Sequence, residues 1–173
     1  SFRGQSEELE QVDEVLSNFT DLSRADTLEL PFVVKKNDAN DQEKALFRLV
    51  KIGVFEDYEK MYGSRKFKIY IKPFDLEKCK DNLLSYVQSA QPGRVKVFAR
   101  DLEVIEEGNP KQNARDLASL LIDFTYDVIE RSRRRAISES ILLARNARSD
   151  KEIRRRLLDY LQEGVGFENF ELL

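Results

Sequence analysis

The sequence has no histidine, no tryptophan and a single cysteine, Cys79, and its 173 residues include only seven glycines and four prolines. Without histidine there is no Ser–His–Asp or Cys–His catalysis, no imidazole-ligated metal and no imidazole acid–base chemistry near neutral pH. One cysteine makes neither an internal disulfide nor a cysteine-rich zinc site, which points to a reducing, cytoplasmic compartment. Apolar runs are short: Leu117 to Ile122, the longest, is broken by Ser119, whereas a bilayer span takes about 20 residues. No signal-peptide pattern opens the chain, and no membrane association is expected. What is present, 41% hydrophobic and 35% charged residues, describes a globular chain with a highly charged surface. At about 100–200 residues per domain, the length fits one domain or two small ones.

Charge is unevenly distributed. Residues 1–60 carry 8 basic and 14 acidic residues, 61–110 carry 9 and 7, 111–157 carry 12 and 7, and 158–173 carry four acids and no base. A basic interior between acidic ends can hold an anionic partner, or can be neutralised by the acidic segments themselves.

Hydrophobic periodicity assigns the elements. Leu9, Val12, Val15, Leu16 and Phe19 fall on one side of a helix over 6–19, with Glu7, Glu8 and Glu10 near its start. Residues 28–35 read as extended, and Pro31 assigns them to a sheet edge. Asn40 with Glu43 forms a capping box for a second helix whose stripe is Ala45, Leu46, Leu49, Val50 and Ile52, and Gly53 suits its C-terminus. Two strands follow, 54–60 and 66–72, joined by the Gly63-containing loop, with Phe67, Ile69 and Ile71 on one face. Helix, glycine turn and hairpin in this order are the central elements of a winged helix.

Pro73 ends the hairpin, and residues 75–90 are helical with Leu76, Cys79, Leu83, Leu84 and Val87 inside. Pro92-Gly93 breaks that helix, and Val95, Val97, Leu102 and Val104 suggest an irregular or short-strand connection. Asn109, Pro110 and Gln112 mark a strong helix start. The segment 111–147 lacks glycine and proline, so it is one very long helix or two with a bend near the arginine run. Its wide stripe (Leu117, Leu121, Phe124 and Val128, with Ala114, Ala118, Ile122 and Ile129) fits the centre of a bundle. Ser149 with Glu152 is expected to cap a last helix packing Ile153, Leu157, Leu158 and Leu161 inward and ending at Gly164. The tail 165–173 stops without a helix end, as in a chain cut from a longer polypeptide. The expected architecture is mainly α with a small β-hairpin (α+β): a winged-helix-like unit over 1–73 packed on a helical bundle over 74–164.

Candidate chemistry is sparse. The glycines are scattered, with no G-x-x-x-x-G-K-[ST] loop. Asp123 and Asp127 share a helix face at i and i+4, but Asp127 precedes Arg131 by four and Glu130 precedes Arg134 by four, the favoured order for exposed ion pairs. No nucleophile–base pair or metal cluster can be assembled, so neither enzymatic activity nor a cofactor is expected. The run Arg131-Ser132-Arg133-Arg134-Arg135 spreads around its helix at about 100° per residue. Its arginines either form a phosphate-binding ridge or are neutralised by Asp127, Glu130 and Glu139. On the hairpin, Arg65, Lys66, Lys68 and Lys72 offer a basic wing and Tyr62 a stacking ring, opposite Glu56, Asp57 and Glu59. The second helix is expected to expose Gln42, Lys44, Arg48 and Lys51 beside Asp41 and Glu43, a poor set for reading bases in a major groove. Cys79 and the tyrosine of the long helix are expected in the core.

Three stretches taken together carry a resemblance. Leu30-Pro31-Phe32, Asp41-Gln42-Glu43-Lys44-Ala45-Leu46-Phe47-Arg48-Leu49 and Ile52-Gly53-Val54-Phe55-Glu56-Asp57-Tyr58 resemble the winged-helix segment downstream of the motor in RecQ-like superfamily 2 DNA helicases. Leu121-Ile122-Asp123-Phe124-Thr125-Tyr126 and Arg131 to Ile137 are similar to the helical region that follows in a bacterial branch. The likeness covers residues 28–163, although only one helix precedes the strand-and-recognition-helix unit, where a full winged helix has two, and the zinc cysteines of many RecQ proteins are absent. It implies an accessory region that helps a motor grip or separate duplex DNA, with ATP hydrolysis left to motor domains elsewhere in a parent protein. The expected contacts with the DNA backbone are Tyr62, Arg65, Lys66 and Lys68 on the wing and Arg133, Arg134 and Arg135 on the helix. The alternative is a protein–protein or scaffold module whose charges pair internally.

Overall fold

The computed structural model describes residues 2–33, 38–146, 154–155 and 158–159. The chain divides into two compact units, residues 1–122 and 123–173. In order, the elements are α1 (Phe2–Ser17), β1 (Asp26–Pro31), α2 (Asp38–Ile52), β2 (Phe55–Met61), β3 (Lys66–Ile71), α3 (Leu76–Ala90), a 3₁₀ turn (Pro92–Arg94), α4 (Val95–Glu103) and α5 (Pro110–Asn146). The fold is α+β and mainly helical, and the expected hairpin is part of a three-stranded antiparallel sheet.

The strand order is β1-β3-β2, so β1 is an edge strand. Its last residue, Pro31, stands opposite Lys66, where a missing N–H costs least. Beyond it, the Phe32 N–H donates to the Arg65 carbonyl (2.9 Å) and the Val33 N–H to Gln42 Oε1 (3.2 Å). The Gln42 side chain donates in turn to the Pro31 carbonyl (3.1 Å). Gln42 is therefore a buried strap between α2 and the strand end, not a residue of the outward face.

In β2 the register slips between Phe55 and Asp57. The bulge lets Phe55 pair with Ile71, while Tyr58 and Lys60 pair with Ile69 and Phe67. On β3, Phe67, Ile69 and Ile71 are buried, as are Val12 and Leu16 of α1 and Leu46, Leu49 and Ile52 of α2. The Phe19 and Phe55 rings meet at 4.8 Å between centroids within this core.

Helix ends explain several boundaries. α2 ends in a Schellman motif: Gly53 N–H reaches Val50 O (3.0 Å), Val54 N–H reaches Leu49 O (2.9 Å), and Gly53 has φ +100°. α3 is capped by Asp75, whose carboxylate accepts from the Lys78 N–H (3.2 Å). α5 is capped by Asn109 Oδ1, which accepts from the N–H groups of Lys111 (2.9 Å) and Gln112 (3.4 Å). The reciprocal arm of that capping box is missing, because the Gln112 amide donates to Asp116 (2.9 Å).

Four expectations are corrected. α1 starts at Phe2, so its glutamates are not in the first turn; Asn18 and Ser17 close its other end on the Glu14 carbonyl (2.9 and 2.6 Å). Glu43 is no capping-box residue, since α2 starts at Asp38 and its carboxylate is taken by Tyr58 and Lys60. The segment after Pro92-Gly93 is a helix, α4, which buries Phe98 and Leu102 and leaves Val97 and Val104 exposed. Of the two alternatives for 111–147, the structure has the single helix: residues 110–146 are continuous, about 55 Å long at 1.5 Å per residue. The proposed cap at Ser149 and Glu152 lies outside the described residues, and Leu158 is 60% exposed rather than inward. No helix among the described residues is long and apolar enough to cross a membrane.

Candidate nucleic-acid interface

The hairpin gathers four of the seven candidate residues. Met61 and Lys66 form the last paired rung, and Tyr62, Gly63, Ser64 and Arg65 make the exposed loop beyond it. Arg65 adopts a left-handed backbone (φ +52°), a conformation that costs a non-glycine residue about 1–2 kcal/mol. The hydrogen bond from the Phe32 N–H to its carbonyl holds that geometry. No ion pair to a described residue involves Arg65.

Tyr62 is 75% exposed, yet its ring has a fixed neighbour. Lys60 Nζ lies 5.3 Å from the Tyr62 ring centroid and 5.7 Å from that of Phe32, and it is bonded to Glu43 Oε2 at 3.0 Å. The hydrogen bond to Glu43 raises the Lys60 pKa, keeping the ammonium charged under the ring. Tyr58 donates its hydroxyl to the other oxygen of Glu43 (3.2 Å), and burial, reinforced by that carboxylate, pushes its pKa up to about 12. Glu43 thus anchors Lys60 from α2, and Lys60 backs one side of an otherwise open aromatic ring. Lys60 was not among the expected site residues. Its signal was the two-residue alternation Tyr58, Lys60, Tyr62, which puts the three on one face.

Lys66 and Lys68 lie within the ladder. The register sets Lys68 between Glu29 on β1 and Glu59 on β2, with its ammonium 5.4 Å from the Tyr70 ring. Lys66 pairs with Glu29 at 3.4 Å, and Lys72 with Glu56 at 3.5 Å. Cross-strand carboxylates therefore compensate the lysines of β3.

Arg133, Arg134 and Arg135 lie on α5 in the second unit, and all three are exposed. Arg134 pairs with Glu130 at 2.6 Å and Arg131 with Asp127 at 3.9 Å, both at i and i+4. Arg135 is in no ion pair with a described residue. At 75% and 61% exposure, the Arg134–Glu130 pair is worth only about 0.2–1 kcal/mol, so a competing phosphate can displace the carboxylate.

α2 supplies less than expected. Arg48 is 6% exposed and forms a buried pair with Glu8 of α1, its Nη2 lying 3.2 and 3.4 Å from the two carboxylate oxygens. With Gln42 also buried, Lys44 and Lys51 are the outward cations that remain, and Lys51 sits 3.9 Å from the Tyr86 ring centroid. Cys79 is buried, and desolvation raises its thiol pKa to about 11, which removes it as a nucleophile. It lines a cavity of about 220 Å³ with Gly53, Lys72, Asp75, Lys78 and Asn82. The chain matches no protein-family model, no curated protein and no solved structure.

Proposed function

We propose that the chain is a non-catalytic DNA-engaging accessory region of a RecQ-like helicase, gripping the phosphate backbone without reading base sequence. In this reading α1, α2 and the three-stranded sheet are a winged-helix unit and the β2–β3 hairpin is its wing. The wing tip meets DNA through Arg65 and Tyr62, while Arg133, Arg134 and Arg135 contact phosphates from α5. ATP hydrolysis belongs to motor domains in the parent protein. The observation that carries the reading is the tip itself. A cation held in an unfavourable backbone conformation beside an open, cation-backed aromatic ring is costly for stability and suited to phosphate and base.

The test is fluorescence anisotropy against a tailed duplex at several salt concentrations. Affinity falls with log salt at a slope of about −0.9 per phosphate contacted. Arg65→Gly removes the backbone strain, so it raises the melting temperature while weakening binding and flattening that slope by about one contact. Tyr62→Ala weakens binding to the tailed substrate more than to blunt duplex. Salt-independent binding, or none at tens of micromolar, ends the proposal. The ion pairs on α5 support a second reading, a scaffold with internally balanced charge. That reading expects Arg134→Ala to lower the melting temperature and leave DNA affinity untouched.

A further inference from the structure

The second half of α5 is amphipathic in an unexpected sense. Its inward side carries small residues, Ala136 and Ser140, both buried, and the Ser140 hydroxyl donates back to the Ala136 carbonyl (2.7 Å). The adjoining face exposes branched aliphatic side chains: Ile137 and Ile141 are each 49% exposed, and Leu142, about 100° further round the helix, is 60% exposed. At about 100° per residue, Ile137 and Ile141 lie within about 40° of each other, with Arg134 one turn before them and Arg145 one turn after. A solvated helix face is normally polar. This one places an apolar patch between two cations.

We propose that this face of α5 is a docking surface for an acidic amphipathic helix of another protein, in which carboxylates flank a short apolar stripe. Charge complementarity selects the occupant. Arg134 and Arg145 stand at either end of the isoleucine pair, so carboxylates are wanted at both ends of an aliphatic centre. The isoleucines add an apolar contact that a phosphate backbone does not use. A second copy in parallel register sets Arg134 on Arg134 and Arg145 on Arg145. The Arg134–Glu130 pair is exposed and weak, so Arg134 can exchange its partner for an incoming carboxylate. The surface lies wholly within the second unit and does not depend on the wing.

The experiment uses the 173-residue chain and labelled synthetic helical peptides of about 18 residues, long enough for five turns. One carries leucines at i, i+4 and i+7 flanked by glutamates, a second has the leucines replaced by serine, and a third has the glutamates replaced by lysine. The first alone is expected to saturate. Ile137→Ser with Ile141→Ser weakens it at least about tenfold, leaving the melting temperature and the affinity for tailed DNA unchanged. Arg145→Glu weakens the first peptide and lets the third bind. Equal binding of the serine peptide, indifference to the isoleucine changes, or no saturation by about 200 µM overturns the proposal. So does a dimer in sedimentation, or binding to anionic vesicles, that the same isoleucine changes abolish. The DNA titrations are read separately, so the loss of either proposal leaves the other standing.

Discussion

The buried pair between Glu8 and Arg48 sets the strongest quantitative test of the first unit. The two residues lie forty positions apart on α1 and α2, with side chains 6% and 8% exposed, and the guanidinium faces both carboxylate oxygens. Removing either partner breaks a buried ion pair where water cannot replace it, a loss of about 3–5 kcal/mol. At roughly 2–4 °C per kcal/mol for a chain of this size, Glu8→Leu or Arg48→Met alone lowers the melting temperature by about 10 °C. The double variant behaves differently. Two apolar side chains of similar volume need no charge compensation, so Glu8→Leu with Arg48→Met recovers most of the loss and can exceed the parent in stability. Urea unfolding of the parent, both single variants and the double variant closes the cycle, with a coupling free energy above about 2 kcal/mol. Additive losses, or single variants within about 1 kcal/mol of the parent, would refute the claim that the charges are dehydrated and interdependent. A further readout bears on function. If Arg48 is internal, Arg48→Met in the Glu8→Leu background leaves DNA affinity unchanged.

Three more predictions follow from single sites. Gly53 has φ +100°, and a Cβ there would lie 2.7 Å from Asn82 Nδ2, which donates to the Ile52 carbonyl at 3.0 Å. Gly53→Ala therefore costs about 2 kcal/mol in chemical denaturation, and Asn82→Ala in the same chain relieves the clash but not the backbone strain. Cys79, buried and with its pKa raised to about 11, reacts with a thiol reagent at pH 8 only after unfolding, so a fast native-state reaction would contradict its placement. Tyr58, raised to about 12 in the folded protein, is favoured there in its protonated form. Its contribution to stability is complete below pH 10, the ordinary tyrosine value, and is lost as pH rises through about 12. An ultraviolet titration shows a late tyrosine step that Tyr58→Phe removes.

Much of the architecture was legible because its signals are local. The N-cap Asn109 and Pro110 fixed the start of the long helix, Gly53 fixed the end of α2, and Pro31 assigned β1 to an edge. Where local signals were weak, the reading failed. α4 carries Val95 and Val97, with Val104 at its C-cap, residues of high strand propensity, and only Phe98 and Leu102 mark a helical face. Packing of those two decided its conformation against propensity. Arg48 shows a different failure. On its own helix it sits beside Lys44 and Lys51, and nothing within α2 distinguishes it from them. Its partner is Glu8, and a contact forty residues away has no local signature.

The same distinction governs which basic residues are available to a polyanion. Counting cations in the hairpin suggests four equivalent contributors, Arg65, Lys66, Lys68 and Lys72. The antiparallel sheet makes them unequal, since Lys66 and Lys68 within β3 and Lys72 just beyond it have acidic neighbours: Glu29 and Glu59 beside Lys68, Glu29 beside Lys66, Glu56 beside Lys72. Residues beyond the last β2–β3 rung, Met61 with Lys66, are not paired across the hairpin, and among the described residues Arg65 meets only the Phe32 N–H through its backbone carbonyl. Tyr62 and Arg65 are in that position. Arg65 occupies a backbone conformation that glycine would adopt at lower cost, so the side chain rather than the turn accounts for an arginine there. Position relative to the end of the ladder, more than basicity, therefore distinguishes the two exposed loop residues, Tyr62 and Arg65, from the lysines whose charges are met by carboxylates within the sheet.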